Sequence, residues 1–437
     1  MKKVTESISV ILKGILFIGF SIQIVLGIIW MCFNFVHLQE FDITDGFLYR
    51  GLRSLAGSYF WILYVMQLAL AFYAGRSMLQ SLCRLKGFWN IWCSLALLTF
   101  PMAMQCHMAL SPYSFTGSLF LMELGFSVRA VREKEGAVFV ALAKVCGCWF
   151  LLAVLLPEYL LLGAIPPILA FLFCLSAWKK QPRRMVYSLL LLAAFGGIVA
   201  GTRTLGDVGE SPFSRENAVF SLFSRMVWPT VWNDTRLWPE EVLDLVQDEI
   251  RNVSYKAENM ERILRPLVEE GLGQEQATQY FLQMAKASWT VHGSMIVRQI
   301  GWDALGYSVT PLILPLQLKG EAYDSYSGRN YELMLSQAPV LTGYYMKYGC
   351  WWFGVMLALA AILTVVRAVG GMSKSEKGGR RFEGKPVLLC ILAAGVVTAA
   401  YTMRGAGMMD YKCTIAVNLL WITWAMKCER QKETPGL

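Results

Sequence analysis

The sequence predicts an all-α polytopic membrane protein with about ten transmembrane helices and one mainly helical extracytoplasmic domain. The first observation is composition: the 437 residues are 56% hydrophobic and only 16% charged, whereas about a quarter of the residues in soluble proteins are charged. The second is that apolar residues occur in runs of roughly 18 to 25, the length a helix needs to cross about 30 Å of hydrocarbon. The third is that residues 202–347 interrupt these runs with a segment that has more acidic than basic residues and no cysteine.

Residues 1–201 predict an N-terminal membrane module of about seven spans. Basic residues stand at alternate ends of the apolar runs, as the positive-inside rule requires, and Lys2, Lys3 and Lys13 therefore place the N-terminus in the cytoplasm. The first span extends to about Val36, which is too long for a signal peptide. Further spans are expected at about 59–74, 88–104, 137–156 and 186–201, and two others end near Arg129 and Trp178.

Residues 202–347 are expected to form the extracytoplasmic helical domain. Ser211-Pro212 and Trp238-Pro239-Glu240-Glu241 combine proline with capping or acidic residues, which is typical of helix starts. Further helices are expected over Glu258–Glu270 and Gln274–Thr290, with Gly271-Leu-Gly273 between them.

Residues 348–437 predict a C-terminal membrane module of about three spans that ends with the C-terminus in the cytoplasm. About ten spans in total agree with every basic cluster. An exported domain without cysteine needs no oxidative folding, which suits a bacterial protein. The expected location is therefore the cell membrane, with a multi-pass topology.

The net charge of +9 is explained by this topology. Outside residues 202–347 the basic residues outnumber the acidic ones, and they cluster at the ends of the apolar runs. Membrane lipids are therefore expected partners, and nucleic acid is not.

The sequence contains no motif that identifies a cofactor. A P-loop, a dinucleotide-binding glycine motif, His-Glu-x-x-His and Cys-x-x-Cys are all missing from it. The three histidines, His37, His107 and His292, do not form a metal-binding motif. No cofactor or metal site is predicted, and a requirement for a divalent metal is left open.

Two charged residues fall inside predicted spans, Glu123 and Lys144. They lie at matching depths in consecutive spans, so a hairpin of those spans would bring them together. An intramembrane charge is a candidate functional residue by default. A structural ion pair, or a lysine that reaches the membrane interface, is nevertheless the preferred interpretation.

Charged residues also gather in the predicted outward segments. The first outward loop contains Asp42, Asp45 and Arg53, and the other segments contribute His107, Arg203, Arg404 and Lys412. A carboxylate can act as general base towards an acceptor hydroxyl or amine. Basic side chains can bind a lipid phosphate and stabilise it as a leaving group. Solvated loop ends and headgroup contacts are the alternative interpretation of each residue taken singly.

The stretch Asp45-Gly-Phe-Leu-Tyr49-Arg-Gly-Leu-Arg53-Ser-Leu-Ala56 resembles the Asp-Glu-x-x-Tyr…Ala-Arg stretch of GT-C membrane glycosyltransferases. That superfamily includes the protein O-mannosyltransferases and the aminoarabinose transferase. The resemblance implies an enzyme that moves a sugar from a polyprenyl phosphate to a cell-envelope acceptor at the outer face. It implies Asp45 as the catalytic base and Asp42 as the second candidate. The sequence departs from the family at Gly46, where a second acidic residue is common.

Two other interpretations stay open. A lipid-linked glycan polymerase or ligase also joins many spans to a large outer segment, and it would depend on His292 with Arg203, Arg225 or Arg298. A transporter, or a membrane scaffold with an exported binding domain, would need no catalytic residue. The sequence shows no internal repeat of the kind common in transporters.

Overall fold

A computed structural model describes the helices of the N-terminal half of the chain and two segments of its middle. The described residues are 2–36, 47–57, 59–83, 85–99, 112–132, 135–155, 163–178, 234–252 and 267–317, with scattered positions between 193 and 200 and between 355 and 393. Every regular element among them is helical and none is a strand, which confirms the all-α prediction for this part of the chain.

The helices are numbered in chain order. They are α1 (Lys2–Val36), α2 (Phe47–Ala56), α3 (Phe60–Cys83), α4 (Gly87–Leu98), α5 (Pro112–Arg132), α6 (Glu135–Leu155), α7 (Ile165–Trp178), α8 (Glu240–Asn252) and α9 (Gln274–Gln317), with a 3₁₀ helix at Thr235–Leu237. The chain divides into two compact units. Helices α1–α7 belong to the first unit, and the second contains the 3₁₀ helix, α8 and α9 as far as Ser308.

Two of the described helices are long and apolar enough to cross a membrane, over Val10–Cys32 of α1 and Trp61–Leu82 of α3. Helix α1 buries one narrow stripe and exposes apolar residues around the rest of its surface. The exposed residues are Val10, Ile11, Ile15, Phe17, Ile18, Ile22, Val25, Leu26, Ile28 and Ile29. Such a surface is unfavourable in water but suits hydrocarbon. This pattern supports membrane association, while the ten-span topology and the location of the termini stay predictions.

Helix α5 is the centre of the described part of the first unit. It packs against α3, α6 and α7, and the shorter α2 packs against α3 and α6. At Gly125 the backbone of α5 comes so close to α3 that an added Cβ would lie 3.2 Å from the Cα of Met78. Small residues allow this approach, which maximises dispersion contacts between helices. At the end of α5, the Arg132 guanidinium donates hydrogen bonds to the carbonyls of Ser81 and Leu82.

Helices α1 and α4 pack together through polar and aromatic contacts. The Gln23 amide donates to the Ala96 carbonyl (3.1 Å), and the Trp92 indole donates to the Ser21 hydroxyl (3.2 Å). The Phe17 ring stacks on Trp92 at a centroid distance of 5.2 Å. These contacts fix the rotation of α1, so that its apolar face stays on the outside.

Several predicted helix ends need correction. The second predicted span ended at Ala74, but α3 continues to Cys83 because Met78, Leu79 and Leu82 extend its buried stripe beyond Arg76. The third span was expected to reach residue 104, whereas α4 ends at Leu98. The predicted spans after Trp178 lie almost wholly outside the described residues.

The second unit has an apolar core of its own. The buried residues are Trp238, Val242, Val246, Val268, Ala277, Phe281, Met284, Ala285 and Ile296. The predicted helix starts at Glu240 and Gln274 are confirmed, and Gly273 between the helical residues 267–272 and α9 has a φ of +80° that favours glycine. The predicted end at Thr290 lies two residues before a break in the helix. His292 has non-helical φ and ψ of −119° and 21°, and a second helical segment continues from there to Gln317.

The packing of α1 on α4 can be tested at two glycines of α1. A Cβ added at Gly27 would overlap the side chain of Thr99, whereas a Cβ added at Gly14 meets no atom within 4 Å. We expect Gly27→Ala to lower the stability of the solubilised protein by about 1 to 3 kcal/mol, because overpacking forces the helices apart. The measurement is the thermal unfolding midpoint in detergent, with Gly14→Ala as the matched control. Equal midpoints for the two variants would contradict this packing.

Candidate functional site

Of the residues predicted to act in glycosyl transfer from polyprenyl phosphate, Arg53 alone lies in the described part of the chain. The predicted base Asp45, its second candidate Asp42 and the other predicted phosphate ligands lie outside it. Those other ligands are His107, Arg203, Arg404 and Lys412. The structure therefore describes the surroundings of Arg53 and of His292, the latter from the alternative prediction of a polymerase or ligase.

Helix α2 begins two positions after Asp45, and one of its faces packs against α3 and α6 of the same unit. Tyr49 is 3% exposed, and its ring meets that of Phe115 edge to face at 6.0 Å between centroids. One turn and two turns further on, Leu52 and Ala56 pack with Leu63 and Tyr64 of α3. The spacing i, i+3, i+7 places these residues on one side of a helix. Leu55 points away from this side and is 86% exposed.

Arg53 lies in the last turn of α2 and is partly buried. Its carbonyl accepts a hydrogen bond from the Gly57 backbone (3.0 Å), and Gly57 ends the helix with a φ of +54°. The cation is thus carried by a short helix that is fixed at both its packed face and its end. A guanidinium in such a place can bind a phosphate with two parallel hydrogen bonds.

Glu123 is fully buried in α5, and within the described residues neither of its carboxyl oxygens has a hydrogen-bond partner. Of the two preferred interpretations, the ion pair with Lys144 is wrong for the described structure, whereas an outward-reaching lysine agrees with it. Lys144 is exposed and its Nζ lies 5.5 Å from the centroid of the Phe126 ring. Val145 and Cys148 form the buried part of the α5–α6 contact with Phe126, whereas Lys144 is exposed and reaches the same ring from outside. Burying a carboxyl group without a partner is costly, so Glu123 is a strained feature of the bundle.

A charged cluster in the second unit joins the 3₁₀ helix to α9. Arg236 donates two hydrogen bonds to the carboxylate of Asp234. One runs from Nε to Oδ1 at 2.7 Å and the other from Nη2 to Oδ2 at 2.9 Å. The His292 Nε2 lies 3.4 Å from the same Oδ2. The Asp234 side chain is 10% exposed and that of His292 29%, whereas Arg236 is 86% exposed.

The cluster keeps Asp234 ionised. The hydrogen bonds from Arg236 are the main cause that lowers the pKa of Asp234 from 3.8 to about 2, and the contact with His292 acts in the same direction. Partial burial opposes this shift. The same bonds to Asp234 raise the pKa of Arg236. An ionised Asp234 can orient the imidazole of His292, and an oriented imidazole is the usual general acid or base of enzymes.

A shallow groove lies beside the start of α9. It has a volume of about 600 Å³ and is lined by Leu272, Gly273, Gln274, Glu275, Gln276, Gln279, Tyr280 and Gln283. The Tyr280 hydroxyl donates to the Glu241 carboxylate, which is the largest cause of the raised pKa of Tyr280. Amide and phenol groups can exchange hydrogen bonds with a neutral hydroxyl-rich ligand.

The sequence pointed to His292 but not to its partners. Asp234 and Arg236 stand two residues apart just before the Trp238-Pro239 helix start, a spacing that allows a local ion pair in a turn. No local signal links them to His292, which lies 58 residues further along the chain. Within the described residues, no group of three or more His, Cys, Asp or Glu side chains could hold a metal ion.

Comparison with known proteins adds no family assignment. No protein-family model matches the chain, and no curated protein or solved structure matches it.

The lowered pKa of Asp234 has a consequence for stability. Because the folded pKa of about 2 lies below the ordinary 3.8, the ion pair stabilises the folded state above the ordinary pKa. This contribution disappears as the pH falls from about 3.8 towards 2. We expect Asp234→Asn to lower the unfolding temperature of the second unit at neutral pH. We also expect the unfolding temperature of this variant to change less than that of the wild type as the pH falls. Thermal unfolding across this pH range would show the effect.

Asp244→Asn is the matched control for this experiment, since it removes an exposed carboxylate of α8 in the same unit. If both variants lose the same share of the acid dependence, the Asp234–Arg236 contact is not its source.

Proposed function

We propose that this chain is an integral membrane glycosyltransferase that moves a sugar from a polyprenyl-phosphate donor to a cell-envelope acceptor at the outer face. The single observation that supports the proposal best is α2. Directly after the two candidate carboxylates, the chain forms a short amphipathic helix that packs on the bundle and carries Arg53. A catalytic loop needs a rigid end of this kind, because its reacting groups must keep their geometry.

In the proposed reaction, the Asp45 carboxylate accepts the proton of an acceptor hydroxyl or amine. The acceptor atom then forms a bond to the anomeric carbon, and the bond from that carbon to the phosphate oxygen breaks. Polyprenyl phosphate leaves with the bonding electrons, and cationic side chains stabilise its added charge. Arg53 is one such cation, and His107, Arg203, Arg404 and Lys412 are the further candidates. Asp42 is the second candidate for the base.

A lipid-linked glycan polymerase or ligase is the alternative, and the contact between Asp234 and His292 favours it. There, His292 would act as the base while Asp234 holds its ring, and Arg298 or Arg225 would bind the phosphate of the lipid-linked glycan. This alternative shares the donor chemistry but uses a different unit of the chain. A transporter or a scaffold would use neither set of residues.

The first experiment asks whether the protein binds the lipid phosphate at all. We expect undecaprenyl phosphate to raise the stability of the purified protein by about 2.7 kcal/mol at a hundredfold excess over its Kd, because the ligand binds the folded state alone. We expect the double variant Arg404→Ala with Lys412→Ala to lose most of this increase. The measurement is the thermal unfolding midpoint with and without the lipid. A folded wild type with no shift at saturating lipid favours the transporter or scaffold.

The second experiment separates the two enzymatic proposals. The donors are undecaprenyl-phosphate mannose and undecaprenyl-phosphate aminoarabinose, labelled in the sugar and supplied to membranes that contain the protein. We expect Asp45→Asn to lower transfer by about 10²- to 10⁴-fold, the usual contribution of a general base, and His292→Gln to leave transfer within a few-fold of wild type.

The opposite result, with Asp45→Asn active and His292→Gln inactive, supports the polymerase or ligase and contradicts Asp45 as the base. Asp244→Asn again serves as the control for expression and insertion.

A further inference from the structure

Helix α5 contains a buried polar pair that neither enzymatic proposal uses. Glu123 and Ser127 are completely buried. Within the described residues, neither carboxyl oxygen of Glu123 has a hydrogen-bond partner, and the hydroxyl oxygen of Ser127 has none either. The two residues stand one turn apart, and residues at i and i+4 lie on the same side of a helix. Three buried oxygens are therefore gathered on one side of α5.

This side of α5 faces away from α3. The backbone of Gly125 stands against α3, and a residue two positions before or after it points about 200° around the helix axis. Glu123 and Ser127 are those two residues. Phe126 and Ala130, which flank them on the helix surface, pack against α6. The carboxyl group of Glu123 is thus enclosed beside the α5–α6 contact.

The described side chains of α6 and α7 bring no cation to this side of α5. On α6, Lys144 is exposed and its Nζ lies 5.5 Å from the centroid of the Phe126 ring. The other titratable groups there are the thiols of Cys146 and Cys148, which supply no positive charge, and no described side chain of α7 titrates. The titratable side chains on the α3 side are Tyr64, Tyr73 and Arg76 of α3, with Arg129 and Arg132 four and seven positions after Gly125.

A proton is the ligand that this donor set fits. Burying a carboxylate without a cation or hydrogen bonds is so unfavourable that the group takes up a proton instead. A divalent hard cation takes six or more oxygen ligands, and among the described residues no group of three His, Cys, Asp or Glu side chains could hold a metal ion. A proton needs a single carboxylate oxygen, which Glu123 provides.

We propose that Glu123 is a proton-binding site inside the helix bundle. The folded protein holds this carboxyl group in its neutral form at neutral pH, and the proton exchanges with water only when the α5–α6 contact opens. A neutral side chain lets α5 and α6 pack around it without an unbalanced charge. The proposal goes beyond glycosyl transfer and does not depend on it.

The first test detects the protonated group directly. The full chain is purified in detergent at neutral pH, and its infrared spectrum is compared with that of Glu123→Gln. We expect the difference spectrum to contain the C=O stretching band of one protonated carboxyl group. We also expect the thermal unfolding midpoint of Glu123→Gln to be no lower than that of the wild type, because the amide is uncharged as well.

Glu240→Gln is the matched control for the first test. Glu240 is an exposed residue of α8, and an exposed carboxyl group is ionised at neutral pH. Its difference spectrum should therefore contain carboxylate bands alone. Carboxylate bands in the Glu123→Gln difference spectrum, without the band of a protonated group, would overturn the proposal.

The second test measures the release of the proton. In D₂O the C=O band of a protonated carboxyl group shifts when deuterium replaces the proton, so the rate of the shift reports access of water. We expect Val145→Ala, which removes buried methyl groups from the α5–α6 contact, to speed this shift by roughly tenfold. Cys148→Ala is a second variant at the same contact, and thermal unfolding shows which of the two is folded.

Val140→Ala is the matched control for the second test, since Val140 lies on the same helix and is 53% exposed. We expect its exchange rate to equal that of the wild type. Equal rates in Val140→Ala and in the folded contact variants would overturn the coupling of proton release to the α5–α6 contact.

Discussion

The backbones of α5 and α3 meet where Gly125 lies against Met78, and the described arrangement of the first unit depends on this approach. Inside a bilayer, lipid tails are as apolar as leucine, so helices gain little from hydrophobic burial and must associate through close packing and polar contacts. Helix α5 also packs on α6 and α7. Helix α2 in turn packs on α3 and α6. The position of Arg53 on α2 therefore depends on the packing of α3 and α5 at Gly125. The buried Glu123 lies in this same central helix.

The exposed side chains of α1 and of the second unit differ in kind. In α1 the buried stripe includes Gln23, which bonds to α4, while the exposed side is aliphatic. In the second unit, Trp238, Val242 and Phe281 are buried, while Glu240, Glu241 and Asp244 of α8 are exposed.

Both enzymatic proposals need a base and a cation close to a phosphate, and the two candidate sets supply them differently. Beside α2, the carboxylate of Asp45 would be the base and Arg53 a cation. In the second unit, the hydrogen bonds from Arg236 lower the pKa of Asp234 to about 2, so Asp234 is a weaker base than an ordinary carboxylate. In the proposed polymerase or ligase, Asp234 would orient His292, whose Nε2 lies 3.4 Å from its Oδ2. The two sets therefore predict different pH dependences: a carboxylate base in one case and an imidazole in the other.

The sequence by itself determined the all-α class, the helix starts at Glu240 and Gln274 and the break at Gly273, because these follow from local periodicity, capping and glycine geometry. It also singled out Arg53 and His292. Only the tertiary structure decided that α3 extends to Cys83, that Lys144 lies over the ring of Phe126, and that Asp234 reaches His292 across 58 residues. The physical reason is that local patterns specify which face of a helix is apolar. The partner of each face, and hence the environment of each buried or exposed charge, depends on how distant helices pack.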